Sequence, residues 1–225
     1  MDQINQGYEG IPTLLGNINE AARDSLRRIS VTRNLLKKES LFPLTPPPKT
    51  IVFVEKGWMC VTLGDTVISL LKAGEAFMGP IFPKGSTSSA ESILVAATPA
   101  TVIEVERVPL LALFNDRPDI LFTLYSQTCE RLTRSYIRLA RKQVDTMEVQ
   151  LASYLWSVGI PHDNGHRVLP PIRQEVVAAC MGTGREEVNR KRKALVTSGK
   201  LFKIEDNWFI AHTVGLELAE RGYGE

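Results

Sequence analysis

The stretch that most constrains the fold of this chain lies at residues 176–190 and reads VVAACMGTGREEVNR. An apolar segment ends at Gly182, and glycine readily adopts the left-handed backbone found at helix ends. A second segment then opens with Arg185 and two acidic residues, which is typical of a helix N-terminus. Ala178 is small where a second helix would cross the first, and Val188 would face the core. The stretch therefore predicts a helix-turn-helix.

Charge is concentrated on this same segment. Between Arg173 and Lys203 there are eight Lys/Arg and three Glu, a net of +5, whereas the whole chain carries +2 and the remainder therefore −3. Such a concentration is what binding to DNA phosphates requires, although an ordinary helical hairpin with a solvated basic face remains the alternative. Polar groups on the first turns of the second helix suit base readout in a major groove. The candidate DNA contacts are Arg185, Glu186, Asn189, Arg190, Lys191 and Lys193.

Behind this helix, two short apolar segments are separated by a turn signal. Residues 201–204 and 208–210 read as strands, and Asp206-Asn207 reads as the turn between them. A two-stranded hairpin in this place predicts a winged helix-turn-helix.

Composition limits the remaining classes of protein. A length of 225 residues suits two modest domains, and 44% apolar with 23% charged residues is globular. The sequence has no apolar run that would span a bilayer and no basic-then-apolar leader, so we expect a soluble, cytoplasmic protein. Cys60, Cys129 and Cys180 lie far apart and lack zinc-ligand spacing, so buried free thiols are expected, with neither metal nor cofactor.

The N-terminal part combines one short helix with several strands. Residues 19–29 have an amphipathic helical pattern. After a proline-rich loop, short strand-like segments recur between turn signals, which predicts a compact antiparallel sandwich or roll. These segments are Ile51–Val54, Met59–Leu63, Thr66–Leu71, Ile93–Ala97 and Val102–Val105. We expect this domain to occupy residues 1–108.

A long helix is predicted from Pro118 to about Val144. It carries a stripe at alternating steps of three and four, and Arg residues lie outside this stripe. Such a stripe commonly packs on its own domain, but the length of the helix favours parallel pairing across a two-fold axis. The stripe consists of Phe122, Tyr125, Cys129, Leu132, Tyr136, Leu139 and Gln143.

Four further assignments complete the description of this part of the chain. Residues 109–145 are expected to form the dimerisation helix with a hinge at its end. Asp145, with Glu148 three residues on, predicts the cap of another helix that ends near Val158. Residues 159–171 are predicted to be a loop, and residues 146–225 to form the DNA-binding domain.

Together these features resemble the CRP/FNR family of bacterial transcription regulators. The resemblance spans roughly residues 20–212 and rests on the Gly-punctuated strands, on Arg117-Pro118-Asp119-Ile120-Leu121 before the long helix, and on residues 185–190. It implies an α+β fold with a cupin-like antiparallel β-roll, a long dimerisation helix and a C-terminal winged helix-turn-helix. It also places Arg185, Glu186 and Arg190 on base-contacting positions, whereas Asn189 replaces a residue that is usually small. The implied partners are double-stranded DNA with an inverted repeat, a second copy of the chain, RNA polymerase and a small-molecule effector.

The effector site departs from the best-known members of the family. Their cyclic-nucleotide pocket has a Glu shortly after Phe-x-Gly and an Arg-Ser pair, but here Pro80 follows Phe77-Met78-Gly79 and the pair reads Ser88-Ser89. Without those partners a buried cyclic phosphate would be uncompensated, which argues against cAMP. Three scattered cysteines do not supply an iron–sulfur cluster, and all histidines lie far from the roll, which argues against haem.

The alternative effector is a flat apolar molecule. The segment from Gly79 to Gly85 resembles the loop of the branch that senses aromatic acids, including halogenated phenolic ones, although these side chains also suit an ordinary core. Serine hydroxyls and a lysine would meet the polar group of such a ligand. Candidate effector contacts are Trp58, Phe77, Met78, Pro80, Phe82, Lys84, Ser88, Ser89, Ser135 and Tyr136.

The sequence also suggests two other classes of function. A metal-dependent enzyme would need His162 and His166 as ligands, but they lie in a Gly/Pro-rich loop without an accompanying carboxylate-rich helix, so we expect no enzyme. A sensor or scaffold that has the same fold but does not bind DNA is the remaining alternative, and a gel shift on DNA would discriminate the two.

Overall fold

The chain forms two compact units in the computed structural model, Met1–Leu132 and Thr133–Glu225. The structure describes residues 20–41, 50–63, 66–77 and 92–223. The division between the units falls within the long helix, whereas the domain boundaries placed after residues 108 and 145 remain predictions. In the described part of the chain, no helix has both the length and the apolar character needed to cross a membrane.

The first unit combines helices with short strands. Its elements are α1 (Glu20–Arg28), β1 (Ser30–Leu35), β2 (Thr50–Lys56), β3 (Trp58–Leu63), β4 (Thr66–Lys72), β5 (Ala76–Phe77), β6 (Ser92–Ala96), β7 (Ala100–Glu106), α2 (Arg107–Asp116) and the beginning of α3 (Pro118–Arg141).

Two antiparallel sheets build the roll, with strand orders β1-β7-β2-β5 and β4-β3-β6. Val52 and Val54 of the first sheet pack in one buried cluster with Met59 and Leu71 of the second, so the two sheets face each other. The alternate residues of β2, Ile51 and Phe53, point the other way. They pack against helix residues Leu26, Leu110, Phe114, Ile120 and Leu124.

The second unit contains the end of α3 and the winged region. Its further elements are α4 (Met147–Val158), β8 (Ile160–Pro161), a 3₁₀ turn (Asp163–Gly165), β9 (Arg167–Val168), α5 (Gln174–Met181), α6 (Arg185–Thr197), β10 (Leu201–Ile204), β11 (Asn207–Ile210) and α7 (His212–Glu220). The strands form one antiparallel sheet in the order β10-β11-β9-β8. Leu201 and Ile210, both fully buried, lie opposite each other on its inner face.

The α+β fold predicted from the sequence is confirmed, with an antiparallel roll, a long helix and a winged helix-turn-helix. The predicted strands and the helix of residues 19–29 have counterparts whose ends lie within two residues of the predicted ones. Strand β1 was missed because it is an edge strand whose middle residues are exposed, so its sequence SVTRNL shows no apolar alternation.

Two local predictions are corrected. The segment 159–171 was predicted to be a loop, yet it contributes β8 and β9, which are only two residues each and too short to show a period. The wing turn lies at Glu205-Asp206, one residue earlier than predicted, because Glu205 adopts φ +50° and Asn207 already pairs with Ile204.

Candidate DNA-binding face and dimerisation helix

The turn of the helix-turn-helix is set by the backbone of Gly182. Its φ of +64° is left-handed, and its N–H donates to the carbonyls of Ala178 and Ala179 at the end of α5. The Thr183 N–H also donates to the Ala178 carbonyl, at 3.0 Å. These bonds satisfy carbonyls that a helix end otherwise leaves without partners. Helix α6 can therefore begin only three residues later, at Arg185.

Helix α6 presents a polar stripe on the side opposite its buried residues. Val188 and Leu195 are 2% and 1% exposed and mark the inner side. At about 100° per residue, Glu186, Arg190 and Lys193 lie roughly 140–160° around the helix from Val188. All three are exposed. The structure therefore places these candidate contacts together on one solvent-facing stripe.

The other candidate contacts on α6 lie closer to its inner side. Asn189 is half-buried at the edge of the stripe, and Lys191, also half-buried, lies only about 60° from Val188. Arg185 lies on the same inner side as Val188 but is exposed because it is the first residue of the helix. Lys191 is therefore separated from the outward stripe.

Both arginines assigned to base contacts are paired with carboxylates. Arg185 Nη1 lies 3.1 Å from Glu175 Oε1 of α5, and Arg190 Nη2 pairs with Glu187 Oε2. Exposed ion pairs of this kind contribute only about 0–1 kcal/mol, so the carboxylates do not prevent either guanidinium from binding another acceptor. The Glu187–Arg190 spacing of three residues is a signal that the sequence contains, whereas the pairing with Glu175 depends on how the two helices cross.

Residues near the C-terminus contact the end of α3 and the residues that follow it. The Tyr223 hydroxyl donates to Asp145 Oδ2, and Arg221 Nη1 lies 3.8 Å from Asp145 Oδ1. Arg141 donates from Nη2 to the Arg221 carbonyl at 2.6 Å and lies over the Tyr223 ring, 4.8 Å from its centroid. We refer to Arg141, Asp145, Arg221 and Tyr223 as the C-terminal latch.

This latch corrects the assignment of the helix cap. The N-cap of α4 is Thr146, whose side chain accepts from the Val149 N–H, rather than Asp145. The side chain of Asp145 is only 7% exposed, and its carboxylate is directed at Tyr223 and Arg221. The prediction of a hinge near Asp145 remains a prediction, but within the second unit this residue is held by several contacts.

The latch gives the unfolding free energy a specific pH dependence. Burial and the hydrogen bond to Asp145 raise the pKa of Tyr223 from 10.0 to about 12. Because the folded pKa exceeds the unfolded one, this stabilisation is fully present below pH about 10 and is lost as the pH rises to about 12. Denaturant unfolding should therefore show that the difference in unfolding free energy between wild type and Tyr223→Phe is smaller at pH 11.5 than at pH 9. At pH 7, Tyr223→Phe should cost about 1 kcal/mol.

Asp145→Ala provides the control for this effect. Since it removes the carboxylate that accepts the hydrogen bond from the Tyr223 hydroxyl, its loss of stability should be less than additive with that of Tyr223→Phe. Additive losses, or a difference between wild type and Tyr223→Phe that is independent of pH, would contradict the latch.

Helix α3 exposes the apolar stripe that was assigned to dimerisation. Ile120 and Leu124 are buried, whereas the stripe residues Phe122, Tyr125, Leu132, Tyr136 and Leu139 are 50–70% exposed, and Cys129 is exposed. A hydrogen bond with Cys129, one turn further on, raises the pKa of Tyr125. Aromatic and aliphatic side chains are thus exposed at regular intervals along one side of the helix.

The effector candidates are only partly covered by the described residues. Trp58 and Phe77 are both buried, but Phe77 packs in the cluster between the sheets, whereas Trp58 alternates with Met59 and so points away from it. Ser135 and Tyr136 are exposed on α3. The remaining candidates, Met78, Pro80, Phe82, Lys84, Ser88 and Ser89, lie outside the described residues.

Two polar features of the first unit were missed in the sequence. Arg131 of α3 donates from Nη1 to the Ala76 carbonyl at 2.8 Å. Glu104, 8% exposed, lies 2.6 Å from Arg33 Nε and pairs with Val52 on the face of the first sheet that meets the second sheet. Burial raises the pKa of Glu104 more than Arg33 lowers it. The two partners of each pair lie far apart in the sequence, so no local pattern indicates either contact.

The histidines have structural contacts in the winged region. His162 and His166 meet the rings of Phe209 and Phe202 edge-on, at 5.3 and 5.2 Å between centroids. His166 Nδ1 also accepts from the His212 N–H at the start of α7, at 3.0 Å. Among the residues that the structure describes, no group of three His, Cys, Asp or Glu side chains is placed to hold a metal ion.

Solved structures share this fold along nearly their whole length. CLP, a c-di-GMP responsive global regulator linking cell–cell signalling to virulence gene expression in Xanthomonas campestris, has a TM-score of 0.66 and 20% identity, with 85% of this chain and 99% of that chain covered. FixK2 from Bradyrhizobium japonicum has a TM-score of 0.68 and 17% identity, covering 84% and 97%. CprK in complex with OCPA has a TM-score of 0.62 and 14% identity, covering 90% and 94%. No family model and no curated protein sequence matches the chain.

Proposed function

We propose, from the fold that this chain shares with CRP/FNR regulators, that the protein is a homodimeric, sequence-specific DNA-binding transcription regulator. The observation that carries the proposal is the exposed stripe of Glu186, Arg190 and Lys193 on α6, opposite its buried side. A helix that follows a tight turn and exposes such residues suits a major groove. RNA polymerase is the expected protein partner, and the cytoplasm the expected location.

The chemistry of the candidate base contacts indicates which bases they would read. A guanidinium donates to guanine O6 and N7, and a carboxylate accepts from cytosine N4, so Arg185, Glu186 and Arg190 favour a half-site with a TGA-like core. Asn189, half-buried beside them, leaves the neighbouring base open. Lys191 and Lys193 are assigned to phosphates.

Selection from a random DNA pool tests this proposal. We expect enrichment of an inverted repeat whose half-sites are about 10–10.5 bp apart, because a two-fold dimer presents two reading helices one turn of DNA apart. The control variant changes Glu186 and Arg190 to Ala and should enrich no common sequence. If wild type also enriches none, the chain is instead a sensor or scaffold that does not bind DNA.

We further propose that α3 pairs in parallel with its counterpart in a second copy. Burial of the stripe residues that are exposed in a single chain favours this pairing. In a parallel pair the two Cys129 side chains approach the two-fold axis. Oxidant-induced cross-linking that Cys129→Ser abolishes would confirm this arrangement.

The effector is proposed to be a molecule other than cAMP, such as a small aromatic acid or phenol. Support comes from Pro80 and the Ser88-Ser89 pair, which lack the charged partners of a cyclic nucleotide. Saturating cAMP should change neither the melting temperature nor the DNA affinity, whereas mass spectrometry of small molecules retained by the purified protein should identify the ligand. A clear response to cAMP would overturn this proposal.

A further inference from the structure

One basic residue of α6, Arg192, differs from its neighbours because its guanidinium carbon lies 4.1 Å from the centroid of the Trp208 ring on β11. Arg192 is half-buried, and this burial lowers its pKa. The adjacent Lys193, by contrast, is exposed. Two consecutive basic residues therefore have different surroundings.

The position of Arg192 on α6 explains this difference. It lies about 40° around the helix from Val188, on the side that packs towards the wing. Trp208 pairs with Lys203 and alternates with Ile210, which is fully buried, so its ring lies on the inner face of the wing sheet. The guanidinium thus occupies the junction between α6 and the wing.

The stacking chemistry suits a role in positioning. A planar guanidinium stacks on an indole ring and retains hydration at its edge, and the attraction is stronger where water is partly excluded. An arginine held in this way faces away from the exposed stripe of α6. The stack joins the helix to the wing hairpin at Trp208, directly across the strand pair from Lys203, whose side chain is 46% exposed.

We propose that Arg192 is a positioning residue that, through Trp208, fixes the wing relative to α6 and so places Lys203 against the DNA backbone beside the half-site. The proposal rests on the proposed DNA-binding function. In this proposal Arg192 affects DNA binding by holding the wing in place and does not itself contact a phosphate.

The test compares Arg192→Ala with Trp208→Ala, which removes no charge, by fluorescence anisotropy on the selected inverted repeat at several salt concentrations. Both variants should lose roughly 3- to 30-fold in affinity. Both should flatten the salt slope by about one through the lost Lys203 contact, as Lys203→Ala should also do. Their double variant should be no weaker than either alone. Trp208→Phe keeps a ring and should retain most of the affinity, which guards against misfolding of Trp208→Ala.

Lys193→Ala is the matched control. It should flatten the salt slope by about one, and its loss of binding free energy should add to that of each of the other variants. If Trp208→Ala keeps the wild-type slope while Arg192→Ala flattens it, Arg192 contacts phosphate directly and the proposal is wrong. Wild-type slopes in both variants would equally overturn it while leaving the DNA-binding function in place. Equal binding of wild type to the repeat and to scrambled DNA would overturn that function together with this inference.

Discussion

Leu132→Glu is expected to convert the protein from dimers to monomers in sedimentation. Leu132 is 50% exposed in a single chain and lies in the middle of the stripe on α3. Pairing would bury it, and two carboxylates facing each other near a two-fold axis would be desolvated without partners. A monomer contacts one half-site only, so affinity for the complete inverted repeat should fall roughly 10²- to 10⁴-fold.

Ile137→Glu is the matched control for this change. It replaces another partly exposed aliphatic residue of α3, five positions on and therefore about 140° around the helix. It should leave the dimer intact. An unchanged dimer with Leu132→Glu would show that the stripe is not the interface, and monomers with both variants would point to a general loss of helix structure.

Arg190→Ala is expected to remove the choice of base at one position of the half-site. The side chain is 72% exposed, and its pairing with Glu187 is too weak to withhold it from DNA. Loss of a bidentate contact to guanine should cost on the order of 1–3 kcal/mol on the selected site and much less on a scrambled one. Fluorescence anisotropy on both DNAs measures this difference.

Lys193→Ala separates the two kinds of contact. It should lower the affinity for the selected and the scrambled DNA by the same factor, because a phosphate contact carries no sequence information. It should also flatten the salt slope by about one. If Arg190→Ala also weakens both DNAs equally, α6 is a phosphate clamp and does not read bases. In that case the stripe on α6 would still explain DNA binding but not its specificity.

Local patterns determined much of what could be predicted. The turn at Gly182 could be predicted because glycine tolerates a positive φ, and the φ of Gly182 is +64° in the structure. The inward position of Val188 and the exposed stripe of α3 follow from helical periodicity. Strands such as β2, which is rich in β-branched and apolar residues and lies between turn signals, were predicted from these local features. The edge strand β1, whose middle residues are exposed, and the two-residue strands β8 and β9 have no such signal.

Only the tertiary structure decided which remote side chains meet. Asp145 was assigned to a helix cap because Glu148 follows at capping distance, yet Tyr223, 78 residues away, takes its carboxylate. Arg192 is one of four consecutive basic residues, and the ring of Trp208 sets it apart from the others. The physical reason is that periodicity and backbone preference act over a few residues. The register in which distant segments pack depends instead on the burial of the whole core.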